Sequence, residues 1–289
     1  MRVSTSQIFD SSVQSMNTSL TQAVKYQQQI STGQQYSQAS DNPYAVSWGV
    51  RLSFDKSRLT MYTNNQNFVS ASMDNASTQL GSMIDQMNQL TSISVQAQNG
   101  ALTSSALNAL YQQASQIATT IQGQSTAKDA TGNPIFPPSI NSVQIEPGVS
   151  VDSGIQASNA FGLDVSGNLV AGKTDVMAKI QAFVAYLGQK AGIPGQTSSD
   201  TLSTVSTGLT SAYNQLQDAQ THSGLVGSLV SQASSAVNSL STQLASTTST
   251  LLDTDMAAAT AGFTKEQSLL NAAQALFGKL QSSNLFSNL

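Results

Sequence analysis

Apolar residues recur at alternating steps of three and four in four separate places along this sequence. This spacing places a narrow apolar stripe on one side of a helix, where the stripe can pack against another helix. The stripe residues that we assign to a helical core come from both halves of the chain and are Leu80, Met87, Val230, Val237, Leu240, Leu244 and Leu251. The pattern predicts a mainly α-helical fold, in which N- and C-terminal segments form a long antiparallel bundle or coiled coil.

Each end of the chain carries a further, weaker stripe. An interruption separates each weak stripe from the stronger helix beside it, so both ends share one layout. The residues that these end stripes contribute are Val13, Met16, Leu20 and Ile30 at the N-terminus and Leu270, Phe277 and Leu280 at the C-terminus. We expect the two terminal helices to pair with each other and to mediate assembly, because isolated helices of this kind are marginal in water.

The N-terminal interruption has the composition of a joint between two helices. Gly33 can end the first helix, since glycine adopts the left-handed conformation without a steric penalty. Asn42 can accept hydrogen bonds from the free amides of the next helix, with Pro43 as its first residue. Asp41 directly precedes this capping pair.

The C-terminal interruption lies in the sequence LLDTDMA and contains Asp253 and Asp255. Residues two apart point to different faces of a helix, so only a turn would bring the two carboxylates together. The two main interpretations of Asp253 and Asp255 are that they cap helices or make packing contacts between subunits. The same two interpretations apply to Asp41. Metal binding is a weaker interpretation, because carboxylate sites usually need more oxygen ligands.

The middle of the chain has a different pattern. All but one of the six prolines fall between residues 134 and 194, and apolar residues alternate on either side of Pro147-Gly148. Alternation around a Pro-Gly pair favours a β-hairpin with a type II turn. We therefore predict a small β-rich insertion over residues 125–172.

These observations divide the chain into five segments. The terminal segments 1–41 and 253–289 hold the assembly helices and their joints. The segments 42–124 and 173–252 form the helical core, and 125–172 is the β-rich insertion.

The composition excludes several classes of function. Charged residues make up only 9% of the chain and the formal net charge is −4, so no basic patch for nucleic acid is expected. No stretch approaches the length of a membrane span, and the N-terminus lacks the apolar core of a cleaved signal peptide. Cysteine is absent, which leaves no disulfides and no thiolate sites.

The sequence offers little support for catalysis or for a bound cofactor. His222 is the single histidine, and no motif supplies the partners that a catalytic or metal-binding histidine needs. We interpret it as a helix-end or surface residue and expect neither enzyme activity nor cofactors. Trp48 is expected to anchor helix packing.

The motifs at both ends resemble the bacterial flagellin superfamily. ISTGQQYSQASDNPYAVSWGVRLS is similar to the N-terminal signature of that superfamily, with Asn42 where a second aspartate is common. The segment 98–117 is similar in layout to the next block, and residues 251–289 resemble the final segment. The start MRVST and the end SNLFSNL are more similar to the hook-associated members than to the flagellins themselves.

The resemblance implies an extracellular structural role in the bacterial flagellum, with the insertion 125–172 facing outward. It implies a ring or tubular homo-oligomer at the hook–filament junction, with hook-associated protein 1, flagellin and an export chaperone as partners. It also implies type III export without a cleaved signal peptide, and terminal coiled coils that fold on polymerisation. A small flagellin forming the filament itself, a type III secreted translocator or tip protein, and hydrolysis at His222 are the alternatives.

Overall fold

A computed structural model describes residues 5–164 and 166–282, which form seven helices and one two-stranded antiparallel sheet. The long helices are α1 (Thr5–Thr32), α2 (Pro43–Ala97), α6 (Leu202–Leu252) and α7 (Met256–Ser282). Between α2 and α6 lie α3 (Ser104–Ser125), β1 (Ser142–Glu146), β2 (Val149–Asp152), α4 (Ala157–Phe161) and α5 (Val176–Lys190). The mainly α fold class with a small β element is confirmed.

The chain divides into two compact units. Unit 1 comprises residues 1–58 and 240–289, and unit 2 comprises residues 59–239. Each of the helices α2 and α6 contributes residues to both units. The division therefore falls inside these two helices and not at the joints from which the five segments were drawn.

Unit 2 holds the main hydrophobic core, to which α2, α3, α5 and α6 contribute fully buried side chains. The antiparallel register of α2 and α6 is fixed by polar contacts: Ser223 Oγ donates to the Met73 carbonyl oxygen at 2.9 Å, and the hydroxyls of Ser94 and Ser206 are 2.7 Å apart. The helix α3 packs on α5. Because the hydroxyls of Ser94 and Ser223 are buried with partners, they support this register without an unpaired polar group.

The sheet is a hairpin held on the surface of α2. Residues Val143 and Val151 lie opposite each other in its register. Side-chain amides of Asn65 and Gln66 donate to the carbonyl oxygens of Gln144 and Ile145, both at 2.7 Å. The predicted hairpin is confirmed.

The segment 125–172 belongs to the core of unit 2. Its buried apolar residues, which pack in the same cluster as the long helices, are Phe136, Ile145, Val151, Ile155, Ala160 and Phe161. In the described residues its β structure is limited to the hairpin and two isolated bridges. The segment therefore has less β structure than the sequence suggested and shares its core with the helices.

Two loops of this segment repeat one structure that the sequence analysis missed. Asp129 and Asn133 close the first loop, with the Asp129 amide donating to the Asn133 carbonyl at 2.8 Å, and Asp164 and Asn168 close the second in the same way at 2.9 Å. The Oδ1 of each aspartate accepts the amide of the asparagine four residues later, at 2.9 and 2.8 Å. The shared sequence Asp-x-Thr/Ser-Gly-Asn was the available signal.

Hydrogen bonds to the two aspartates lower the pKa of each carboxyl below its ordinary value of 3.8. The main donor is the hydroxyl of Thr131 for Asp129 and the backbone amide of Asn168 for Asp164. Their contribution to stability is therefore present above the ordinary pKa and is lost as the pH falls through the lowered values.

An NMR titration of the side-chain carboxyl carbons tests this expectation. In the unchanged chain both carboxyls should titrate below 3.8. The substitution Thr131→Val removes the hydroxyl donor, so it should move the pKa of Asp129 toward 3.8 and leave that of Asp164 unchanged. If the pKa values of Asp129 and Asp164 rose equally, the Thr131 hydroxyl would not be the cause of the lowered pKa of Asp129.

Hydroxyl side chains along α6 bond to their own helix. Each donates to the carbonyl oxygen four residues earlier, an arrangement common for serine and threonine inside helices. The donors are Thr207, Thr210, Ser211, Thr221, Ser235, Ser239, Thr247, Thr248 and Thr250. The hydrogen-bond donors of these side chains are thus satisfied without a neighbouring element.

Candidate assembly site

The terminal helices α1 and α7 pack against each other in unit 1. Small residues line the contact: Ala23 of α1 and Ala259 of α7 are 8% and 3% exposed. Small side chains let two helix backbones approach closely, which partly compensates for the weak apolar stripes. The pairing that the sequence suggested is therefore present in the structure.

Tyr26 of α1 packs on Gly262 of α7. A Cβ atom placed on Gly262 would lie 2.6, 2.8 and 2.9 Å from three ring carbons of Tyr26. Real Cβ atoms essentially never come within 3.0 Å of another heavy atom. The tyrosine ring therefore occupies the space that any other residue at position 262 would fill.

The predicted assembly residues are only partly covered by this pairing. Val13, Met16, Ile30, Leu270 and Phe277 are half-buried, whereas Leu20 is 51% exposed. The side chain of Leu280 lies outside the described residues. Further exposed apolar side chains on the two helices are Val24, Met256, Leu269 and Leu276. The helix pair thus leaves much of its apolar surface uncovered.

The two joints lie side by side and bind each other through their backbones. The Gln35 amide donates to the Leu252 carbonyl at 2.7 Å, and the Thr254 amide donates to the Gly33 carbonyl at 2.9 Å. These two hydrogen bonds make an antiparallel bridge in which Gln34 lies opposite Asp253. Sequence reasoning located both joints and missed their contact.

The residues expected to cap the joints lie at helix ends. Gly33 has a φ of +70° and its amide donates to the Gln29 carbonyl at 2.8 Å, which ends α1. The Oδ1 of Asn42 accepts the Ala45 amide at 3.1 Å, and Pro43 is the first residue of α2. These contacts explain why the chain turns at this place.

The three aspartates of the joints have different contacts. The Oδ1 of Asp255 accepts the amides of Ala257 and Ala258 at 2.9 and 3.0 Å, which caps α7. Asp41 lies 3.4 Å from the Nζ of Lys25, and Asp253 takes part in the bridge through its backbone. In the part of the chain that the structure describes, no group of three or more His, Cys, Asp or Glu residues could hold a metal ion.

A second apolar surface lies on α2 within unit 1. We call Tyr44 and Trp48, which are one helical turn apart and 65% and 38% exposed, the outer patch. Val50 and Phe54 do not share that face of the helix and are 53% and 72% exposed. Trp48 was expected to anchor helix packing, but it is exposed, and its ring lies 6.2 Å from that of Tyr44. Large exposed apolar clusters on a soluble chain usually mark contacts with other molecules.

The predicted core stripe is buried along only part of its length. Leu80, Met87, Val230 and Val237 are at most 5% exposed. Leu240 is 42% exposed and does not belong to the core, while Leu244 and Leu251 are half-buried. The stripe leaves the core where unit 2 ends, at Ser239.

His222 has a partner that the sequence did not reveal. Its Nε2 lies 3.4 Å from the Oδ2 of Asp152, at the edge of a cavity of about 240 Å³. Asn159, Lys173 and Asp218 also line this cavity. Among the described lining residues there is no hydroxyl or thiol side chain.

Models of the two helical regions of bacterial flagellin match this chain. The N-terminal helical region matches residues 3–131 and the C-terminal helical region matches residues 207–289. Together they cover both ends and most of the length. The chain therefore belongs to the bacterial flagellin superfamily, and it is a structural component of the bacterial flagellum.

Solved structures of hook-associated proteins have a similar fold at 16% identity. A Vibrio parahaemolyticus protein assigned as a flagellar hook-associated protein gives a TM-score of 0.62, covering 73% of this chain and 99% of that one. FlgL from Xanthomonas campestris gives 0.55 and 0.51 in two crystal forms, covering 67% and 66% of this chain and 98% of FlgL in each. At this identity the likeness concerns the fold alone.

None of the curated proteins matches the chain. Within residues 5–164 and 166–282, no helix combines the length and the apolar character needed to cross a membrane.

Proposed function

We propose that this chain is a junction protein of the bacterial flagellum, which connects the hook to the flagellin filament. This is the role of flagellar hook-associated protein 3. The observation that carries the proposal is the fold shared with hook-associated proteins along 98–99% of their chains. The start and end sequences, which differ from those usual in flagellins, support the same assignment.

In this role the chain binds copies of itself in a ring or tube. Hook-associated protein 1 contacts it on the hook side and flagellin on the filament side. The exposed apolar residues of α1, α7 and the outer patch support this proposal, since a neighbouring subunit could cover them. Each fully buried leucine or phenylalanine would contribute about 1.5–3 kcal/mol before the cost of ordering.

The terminal helices become fully ordered when the subunit polymerises. Their own contact leaves Leu20 and Leu276 half or more exposed, so the remaining burial must come from neighbours. A chain whose terminal helices are held mainly by each other also suits passage through a narrow export channel. An export chaperone would shield the apolar face of α7 until the subunit is in place.

Immunogold labelling of isolated flagella tests the junction role. An antibody against the full chain should give a single band at the distal end of the hook. Label along the whole filament would identify the chain as a small flagellin, which is the second candidate because the matching family models are those of flagellin.

A further inference from the structure

The bridge between the two joints ties together two parts of the chain that are far apart in sequence. Residue 34 follows α1, and residue 253 lies between α6 and α7. Each of the two backbone hydrogen bonds has one partner in the N-terminal joint and the other in the C-terminal joint. Neither joint can therefore change its backbone conformation without breaking the hydrogen bonds of the other.

Side chains reinforce the bridge on both sides. The Gln29 Nε2 donates to the Gln35 carbonyl at 2.8 Å, which binds the N-terminal joint to the last turn of α1. Leu252 packs on Gly49, where an added Cβ would lie 2.8 Å from the Leu252 Cδ1. The bridge is thus held to α1 on one side and to α2 on the other.

The helices beyond the bridge are also in contact, because Tyr26 lies directly on Gly262. The path from Gln35 back to Tyr26 and the path from Thr254 on to Gly262 are each about nine residues long, judged from the residue numbers. The joints and the helix pair form a closed set of contacts. Breaking one contact lowers the probability that the others are formed.

We infer that the two joints form one coupled hinge, so that α1 and α7 dock, move and undock as a single unit. This inference concerns the behaviour of unit 1 and does not depend on the position of the protein in the flagellum. A force or contact that reaches one terminal helix acts on both joints at once.

The absence of cysteine in the chain makes a clean test possible. Opposed residues of an antiparallel bridge have Cα atoms about 4.5–5.5 Å apart, which is within the range that a disulfide spans. The double substitution Gln34→Cys and Asp253→Cys in the full chain should therefore form a disulfide. Its equilibrium in glutathione redox buffers measures how often the two joints are in contact.

Coupling is measured by adding a change at the distant contact. Gly262→Ala in the double-cysteine chain should lower the effective concentration of the two thiols about tenfold, since about 1.4 kcal/mol lost from the helix pair corresponds to that factor. Gly278→Ala is the matched control, because a Cβ there meets no atom within 4 Å and should not lower the effective concentration. Gln29→Met is a second variant, which removes one reinforcing hydrogen bond and should lower the value about threefold.

The following two outcomes would overturn the inference. If the two cysteines do not form a disulfide at glutathione concentrations that favour one, the joints are not in contact. If Gly262→Ala and Gln29→Met leave the thiol equilibrium unchanged, the joints are in contact but open independently of the terminal helices. Neither result bears on the immunogold test, so failure of the hinge and failure of the junction role can be distinguished.

Discussion

Gly262→Ala is expected to abolish assembly of the full chain while unit 2 stays folded. The added Cβ would lie 2.6–2.9 Å from the ring of Tyr26, so α1 and α7 must separate or the ring must leave its position. Inserting a methyl group into a tight contact costs about 1–3 kcal/mol. A helix pair with few buried side chains cannot absorb that loss, and the surface offered to a neighbouring subunit is lost with it.

The measurement is sedimentation of assembled material combined with a circular-dichroism melt. Gly262→Ala should remain in the supernatant and keep the cooperative melting of unit 2. Gly278→Ala in the same helix should assemble normally, because alanine is favoured over glycine within a helix by roughly 0.5–1 kcal/mol and meets no neighbour at this site. Assembly of both variants at the same concentration would show that the Tyr26 contact is dispensable.

Gly162→Ala should cause the largest loss of stability in unit 2. Gly162 has a φ of +86°, and a Cβ on it would overlap the backbone carbonyl of Thr174. The left-handed conformation costs another residue about 1–2 kcal/mol, and the overlap with a fixed backbone atom adds about 1–3 kcal/mol. The free energy of unfolding should therefore fall by about 2–5 kcal/mol.

Gly167→Ala is the matched control for this prediction. Gly167 has a φ of +79°, but a Cβ there meets no atom within 4 Å. Urea unfolding followed by circular dichroism should show a loss of about 1–2 kcal/mol for this variant. An equal loss in both variants would mean that the Thr174 carbonyl moves away at little cost.

Local chemistry made much of the fold predictable. The positions of Gly33, Asn42 and Pro43 at helix ends follow from the conformations and hydrogen bonds of those residues alone. The hairpin followed from alternation around a Pro-Gly pair. The family followed from the motifs at both ends.

The features that the sequence did not reveal depend on partners distant in the chain. Leu240 continues the spacing of Val237, yet one is 42% and the other 1% exposed, because spacing defines a helix face and not what covers it. The bridge between Gln34 and Asp253 uses backbone groups, which leave no residue pattern to read. Trp48 was misjudged for the related reason that a large aromatic residue can equally serve a contact outside the chain.

The self-bonded hydroxyls of α6 have a consequence for how neighbours meet this protein. Their donors are satisfied within the helix, and charged residues make up only 9% of the chain. A subunit that contacted α6 would therefore meet methyl groups and dipoles more than fixed charges. Screening by dissolved ions acts mainly on fixed charges. The affinity between neighbouring copies at such a contact should therefore change little with salt concentration.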